Sequence, residues 1–229
     1  MSKNAPIAFI DSGVGGLPYL KWVREKLHNE TFYYLADTGN FPYGEKTPDE
    51  IVSIVLNAVK YLEDKGKPKL LVIACNTASV TALDAVRAAV QIPVVGVVPA
   101  VKPAAERSRN KRIGVLATER TVKGAYLEDL VNNFASSCFV KKIAGSGIVR
   151  FIENDYFSSD QSRKNEILEA AIKQFKKSEV DTVVLGCTHF IFIEELLTNS
   201  LGPEIEVIDS REGVGNQIIS ILRKKCLLS

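Results

Sequence analysis

Residues 70–79 read LLVIACNTAS: Leu70–Ala74 are apolar, and the chain then passes directly into Cys75, Asn76 and Thr77. A short apolar run with polar residues at its end reads as a buried strand leading into a turn or helix start. Residues 182–190, TVVLGCTHF, repeat the arrangement: an apolar run, then Cys187, then Thr188 and His189, then a helical pattern. Outward from these two stretches, apolar runs alternate with amphipathic segments. In the first half the runs are 6–10, 32–36, 69–74 and 93–98, with helical patterns at 17–27, 48–64 and 79–90. In the second half they are 112–117, 139–144, 182–186 and 204–209, with helices near 121–134, 148–154, 161–177 and 190–199. This alternation predicts an α/β fold of two similar lobes in tandem, each a mainly parallel sheet flanked by helices. Pro99, Pro103 and the charged stretch up to Arg109 interrupt the pattern. The first lobe is therefore expected over residues 1–98, completed by a returning helix within 210–229, and the second over 99–209.

Composition narrows the function classes. The 229 residues are 46% hydrophobic and 24% charged, enough for a substantial core in a soluble protein. A formal charge of +2 gives no reason to expect nucleic acid or an acidic membrane surface. The basic cluster Arg223–Lys225 reads as a solvated helix end, favourable to the helix dipole. No leader-like segment is seen, and the longest apolar stretch, near Ile92–Val101, is broken by proline and glycine. A cytoplasmic location is the expectation. Four cysteines without a Cys-x-x-Cys pair, and two histidines, argue for reduced thiols and against a structural zinc site.

In open parallel sheets, ligands bind beyond the carboxyl ends of the strands. That rule selects Asp11 and Ser12 with GVGG, Asp37 with TGNFPYG, Cys75–Thr77, and Cys187–His189. A thiol at a helix N-terminus feels partial positive charge, which favours thiolate. Each motif also has an ordinary structural explanation. A lone strand-end cysteine is more often packing than catalysis, and Cys138 and Cys226, without polar companions, fit that description. His28 follows a helical pattern and reads as a surface residue. DSGVGG lacks dinucleotide-fingerprint spacing. FPYGEKTPDE is explained by a turn plus a capped helix, with Thr47 as N-cap, Pro48 at N1 and Glu50 at N3. What shifts the balance toward function is the repetition: two Cys-with-Thr elements at equivalent points of a repeated lobe. Two thiols, each with its own acid–base helper, suit removal of a proton from one face of a carbon and its return to the other.

The sequence resembles the cofactor-independent glutamate racemases of the aspartate/glutamate racemase superfamily. The resemblance is carried, in order along nearly the whole chain, by IAFIDSGVGGL, ADTGNFPYGEKTPDEI, VIACNTAS, VGVVPAVKPA, IGVLATERTVKGAY and VVLGCTHF. It implies an active site between the two lobes, with Cys75 and Cys187 as acid/base thiols assisted by Asp11 and His189 respectively. It implies that Ser12, Asn76, Thr77 and Thr188, with Pro42, Tyr43 and Gly44, hold the amino acid, and that Thr118 and Thr121 lie near it. Asp37 and Glu153 would have supporting roles. It further implies reversible interconversion of L- and D-glutamate without pyridoxal phosphate or metal, and service to peptidoglycan synthesis. The partner implied is the small-molecule substrate, glutamate, with a homodimer as the expected self-association and neither nucleic acid nor membrane. Cys-Thr-His and CNTAS, rather than CNTAH, point to glutamate over aspartate. Two places depart from the family's pattern: AGSG at 144–147 stands where Cys-Pro is usual, and Ile191 where Pro is usual.

Three rivals remain at this level. Aspartate or hydantoin racemisation uses the same fold. A Cys–His acyl-transfer enzyme would form a thioester at Cys187 and ignore Cys75. A small-acid binding protein would hold glutamate without exchanging its α-proton.

Overall fold

The strands form where unbroken apolar runs can be buried on both faces. The computed structural model describes residues 2–229, and the chain divides into two compact units. One runs up to Val98 and resumes at Ser210–Ser229; the other is Pro99–Asp209. In the first, strands β1 (Ile7–Asp11), β2 (Phe32–Ala36), β3 (Leu70–Ile73) and β4 (Val94–Gly96) form a parallel sheet in the order β2-β1-β3-β4. In the second, β5 (Arg112–Ala117), β6 (Phe139–Ala144), β7 (Thr182–Leu185) and β8 (Glu206–Ile208) form another in the order β6-β5-β7-β8. The two orders are the same, so the repeat read from the sequence is a repeat of topology. β1, β3 and β7 are buried at every residue, as strands covered on both faces must be, whereas the edge strands β2 and β6 are only partly covered.

The first unit carries helices α1 (Leu17–Arg24), α2 (Pro48–Gly66), α3 (Asn76–Ala89) and, later in the chain, α10 (Arg211–Lys224). On α2, Ile51, Val55, Val59 and Leu62 recur on one face and pack with Ala8, Ile10, Leu71 and Ile73 of the sheet. The start of α2 is fixed by the capping box expected from TPDE. Glu50 N donates to Thr47 Oγ1 at 3.3 Å, and Thr47 N to Glu50 Oε2 at 2.7 Å. Thr47→Ala is expected to cost about 1 kcal/mol, measurable by urea denaturation. The returning α10 packs on α1, where the Tyr19 and Ser210 hydroxyls meet at 2.8 Å.

The second unit carries α4 (Val101–Arg107), α5 (Glu119–Lys123), α6 (Ala125–Phe134), α7 (Ser146–Asn154), α8 (Gln161–Lys177) and α9 (Glu194–Leu201). Val101 and Ala104 of α4 and Leu127 of α6 cover Ile113, Val115 and Val184.

Several boundaries differ from the sequence reading. The stretch 99–109 is not merely interrupted: it holds α4, because Pro103 falls in the first helical turn, where its missing N–H is not needed. The helix expected over 121–134 is two helices, broken by the extended backbone of Gly124. The one expected from 79 begins at Asn76, because Cys75 itself is the cap. The one expected from 190 is a 3-10 stretch, Thr188–Ile193, followed by α9. Cys226 is exposed rather than packed and takes a left-handed conformation (φ 53°) just beyond α10. No helix among the described residues is long and apolar enough to cross a membrane.

Candidate active site

The two cysteines occupy matching positions. Cys75 lies two residues beyond β3 and Cys187 two beyond β7, the strands third in their respective sheet orders. The residue before each is tied to the neighbouring strand: Ala74 N donates to Ile10 O, and Gly186 N to Leu116 O, both at 2.7 Å. Both cysteines are extended, with φ/ψ of −139°/120° and −143°/137°, and both are 7% exposed. Their surroundings then diverge. Cys75 caps α3, and its sulfur accepts from Ala78 N at 3.5 Å, a contact that the anionic form strengthens. Cys187 precedes a 3-10 stretch, not an α-helix, and makes no side-chain capping bond. The helix-dipole argument therefore applies to Cys75 more than to Cys187.

Cys187 has a different helper. Its sulfur lies 3.8 Å from His189 Nδ1, and His189 Nε2 lies 2.7 Å from Glu153 Oε2 on α7. His189 is 2% exposed. An ionised carboxylate only accepts hydrogen bonds, so it holds the proton on Nε2 and leaves Nδ1 facing the thiol. Glu153, Cys187 and His189 thus form a line of proton-handling groups. Ser146 and Gly145, in the segment that departs from the family's pattern, have a packing role. A Cβ on Gly145 would lie 2.8 Å from the Phe190 ring and 3.2 Å from Leu116 Cδ1 of β5, so a larger residue there would have to push the ring aside. Ser146 Oγ accepts from Glu119 N at 3.2 Å, holding the start of α5. There Thr118 caps the helix: its Oγ1 accepts from Thr121 N at 3.3 Å and lies 3.0 Å from Thr121 Oγ1.

In the first unit Asp11, fully buried, accepts from Ser12 N at 2.6 Å and Ser12 Oγ at 3.2 Å. Beyond β2, Asp37 is fixed by three bonds. Asn40 Nδ2 donates to its two oxygens at 2.9 and 3.0 Å, and Tyr43 Oη donates to Oδ2 at 2.6 Å. Pro42 and Gly44 flank Tyr43, which is 1% exposed. Burial drives the Tyr43 phenol well above its usual pKa, reinforced by the bond to Asp37 and by the charges of Asp37, Cys75 and Asp11. Tyr43 is accordingly a neutral donor within electrostatic reach of Cys75 and Asp11.

Asn76, 2% exposed, has neither amide atom in a hydrogen bond. A buried unpaired polar group costs about 1–3 kcal/mol, and an amide donor and acceptor of this kind suits the carboxylate and ammonium of an amino acid. Thr77 and Thr188 are buried beside the two thiols in sequence. Ser79, by contrast, is absorbed by the backbone: its hydroxyl donates to Ile73 O and accepts from Val97 N, each at 2.9 Å. Two contributors escaped the sequence reading. Asn40 looked like part of a turn, and Tyr34 looked like a strand aromatic, though its hydroxyl reaches the loop after β1. The open groove of about 420 Å³ along β2 and α2, lined by Tyr33, Tyr61 and Lys65 among others, contains none of the candidate residues. No group of three or more His, Cys, Asp or Glu residues suited to a metal occurs among the described residues.

Comparison with known proteins agrees on one family. The sequence model described as Asp/Glu/Hydantoin racemase matches residues 20–212. The glutamate racemase of Shewanella loihica is 38% identical over 96% of this chain and 82% of its own. That of Pseudomonas syringae pv. tomato is 39% identical over 99% and 82%. The Escherichia coli glutamate racemase, solved in complex with L-glutamate and the activator UDP-MurNAc-Ala, matches with a TM-score of 0.88 and 36% identity, covering 96% of this chain and 83% of that one. Francisella tularensis glutamate racemase, solved with D-glutamate, gives 0.83 and 28%, covering 99% and 83%. With two sheets of one topology, paired strand-end thiols and these relatives, the chain belongs to the Asp/Glu/Hydantoin racemase family and is a racemase, an isomerase.

Proposed function

We propose that this protein interconverts L- and D-glutamate by a two-base mechanism in which Cys75 and Cys187 serve opposite faces of the α-carbon. The observation that carries the reading is the matched placement of two buried thiols in two sheets of the same order. One thiolate takes the α-proton while the other thiol delivers one, and the roles exchange with direction. Asp11 is the helper assigned to Cys75. His189, held by Glu153, is the helper assigned to Cys187. The α-proton of an amino acid is weakly acidic, so negative charge developing on the carboxylate needs donors already in place. Ser12, Asn76, Thr77, Thr188 and the Pro42–Gly44 segment are proposed to supply these, with Thr118 and Thr121 nearby. The substrate assignment is supported by relatives named as glutamate racemases, two of them solved with glutamate bound. The role we infer for the D-glutamate is supply to peptidoglycan synthesis.

The test is polarimetry or circular dichroism on purified protein with EDTA and no added cofactor, offering L-glutamate, L-aspartate and a hydantoin separately. Optical decay with glutamate well ahead of the others supports the assignment. A faster decay with aspartate or hydantoin moves the substrate, and no decay with any overturns the reading. The imidazole's orientation has its own consequence. Glu153→Gln replaces the carboxylate that keeps the proton on His189 Nε2, 2.7 Å away. The uncharged amide donates as well as accepts and so no longer fixes the tautomer. Turnover is expected to fall about tenfold, less than the roughly 10²–10⁴ that general acid–base catalysis contributes because the imidazole itself remains, as read in steady-state kinetics in both directions.

A further inference from the structure

We infer that Tyr34 is a positioning residue for the Cys75 half of the reaction. It acts through the loop that carries Asp11 and Ser12, and the inference rests on the two-base reading above. Tyr34 belongs to the edge strand β2, and its hydroxyl leaves the strand to close the DSGVGG loop on itself. It donates to Gly13 O at 2.7 Å and accepts from Gly16 N at 3.1 Å. One phenol therefore fixes both ends of the Gly13–Gly16 turn, immediately after the buried Asp11–Ser12 pair. The turn in its charge of Asp11 is also braced from the other side. A Cβ on Gly16 would lie 2.7 Å from Ala74 Cβ, 3.1 Å from Ala74 O and 3.0 Å from the Tyr34 hydroxyl. Gly16 is thus wedged between Tyr34 and the residue that precedes Cys75. Asp37 N donates to Asp11 O at 2.8 Å, which fastens the same loop to the end of β2. Tyr34, Gly16 and Ala74 form one continuous contact from the edge strand to the chain at Cys75. The distance between the Asp11 carboxylate and the thiol it serves depends on that contact.

A loop of glycines has little stiffness of its own, so its geometry must come from outside bonds. Tyr34 supplies two of them, and a phenylalanine would keep the ring while removing both. The predicted consequence is specific to one side of the substrate. Tyr34→Phe is expected to lower kcat/KM about tenfold, the scale of one or two lost hydrogen bonds. It should also unmask a primary isotope effect with α-deuterated glutamate of one enantiomer only. That enantiomer is the one affected by Asp11→Asn and the opposite of the one affected by His189→Asn. Tyr33→Phe, an exposed neighbour on the other face of β2, is the control and leaves rates unchanged. Gly16→Ala is the second variant: it keeps the phenol but crowds it, and is expected to show the same enantiomer bias. Thermal unfolding of each variant accompanies the kinetics. Equal rates for Tyr34→Phe and wild type would overturn the inference. So would an isotope effect of equal size with both enantiomers, or a bias shared with His189→Asn. The kcat/KM loss itself is equal in both directions, because enantiomers are equal in free energy. If Tyr34→Phe does not fold, the bias of Gly16→Ala decides the matter. A wild-type protein that does not racemise glutamate instead defeats the underlying reading, before any variant is compared.

Discussion

Cys75→Ser and Cys187→Ser each lower racemisation of glutamate in both directions by about 10²–10⁴-fold, the range of a general acid–base catalyst. A hydroxyl is a far weaker acid than a thiol, whose ordinary pKa of about 8.5 lets both protonation states exist near neutrality. The serine therefore cannot be anion in one direction and proton donor in the other. Both directions fail in both variants, because a racemisation uses one group to take the proton and the other to return one. Each variant nevertheless keeps one thiol, and that thiol still washes α-deuterium out of one enantiomer. The two variants favour opposite enantiomers. Steady-state rates and NMR of the α-position check this. Near-normal turnover in either variant removes that thiol from the mechanism. A loss confined to Cys187→Ser, with a trapped thioester, would favour acyl transfer.

The second large effect concerns stability. Lys69, at the start of the run that ends in Cys75, is fully buried, and its Nζ meets Glu30 Oε2 at 2.5 Å with side-chain exposures of 0% and 2%. Ser229 Oγ at 2.9 Å and the Lys3 carbonyl complete its shell, while Ser229 N donates to Glu30 Oε1 at 2.9 Å. Residues from three other parts of the first unit are gathered on one ammonium. Removing one partner of a buried pair leaves an uncompensated charge and costs about 3–5 kcal/mol. Lys69→Met is expected to lose that much in urea denaturation. Lys69→Met combined with Glu30→Leu should recover most of it, because replacing a whole buried pair by apolar groups is nearly neutral. A single-variant loss below about 1 kcal/mol would show that the pair is solvated in solution.

These two cases mark where the sequence was readable. The central strands β1, β3, β5 and β7 were legible because burial on both faces demands unbroken apolar runs, and their ends located Asp11, Cys75 and Cys187. The capping box at Thr47 was legible because its chemistry is local. Lys69 was not. A lysine beside a strand reads as solvated, and the partner that lets it be buried is 39 residues away in sequence. Tyr34 was hidden for a related reason: in FYYLA every residue looks like packing, and nothing local says that one hydroxyl reaches Gly13 and Gly16. Asp37 was marked by its place at a strand end and Glu153 only through the family's pattern; that Tyr43 and His189 are their partners emerges from the three-dimensional arrangement. The break at Gly124 and the 3-10 stretch after Cys187 are backbone choices that apolar periodicity does not encode. Ser79, which pointed toward glutamate by resemblance, carries no visible substrate role: its hydroxyl bridges two backbone groups.

The most direct measurement is conversion of L-glutamate in D₂O by the pure, cofactor-free protein, sampled early by NMR while optical inversion is followed. A two-thiol mechanism delivers a solvent-derived deuteron from the second base. The account therefore predicts D-glutamate carrying α-deuterium while the unreacted L-glutamate still carries protium. D-glutamate that retains the substrate's own α-proton, or glutamate that neither inverts nor exchanges, would contradict it.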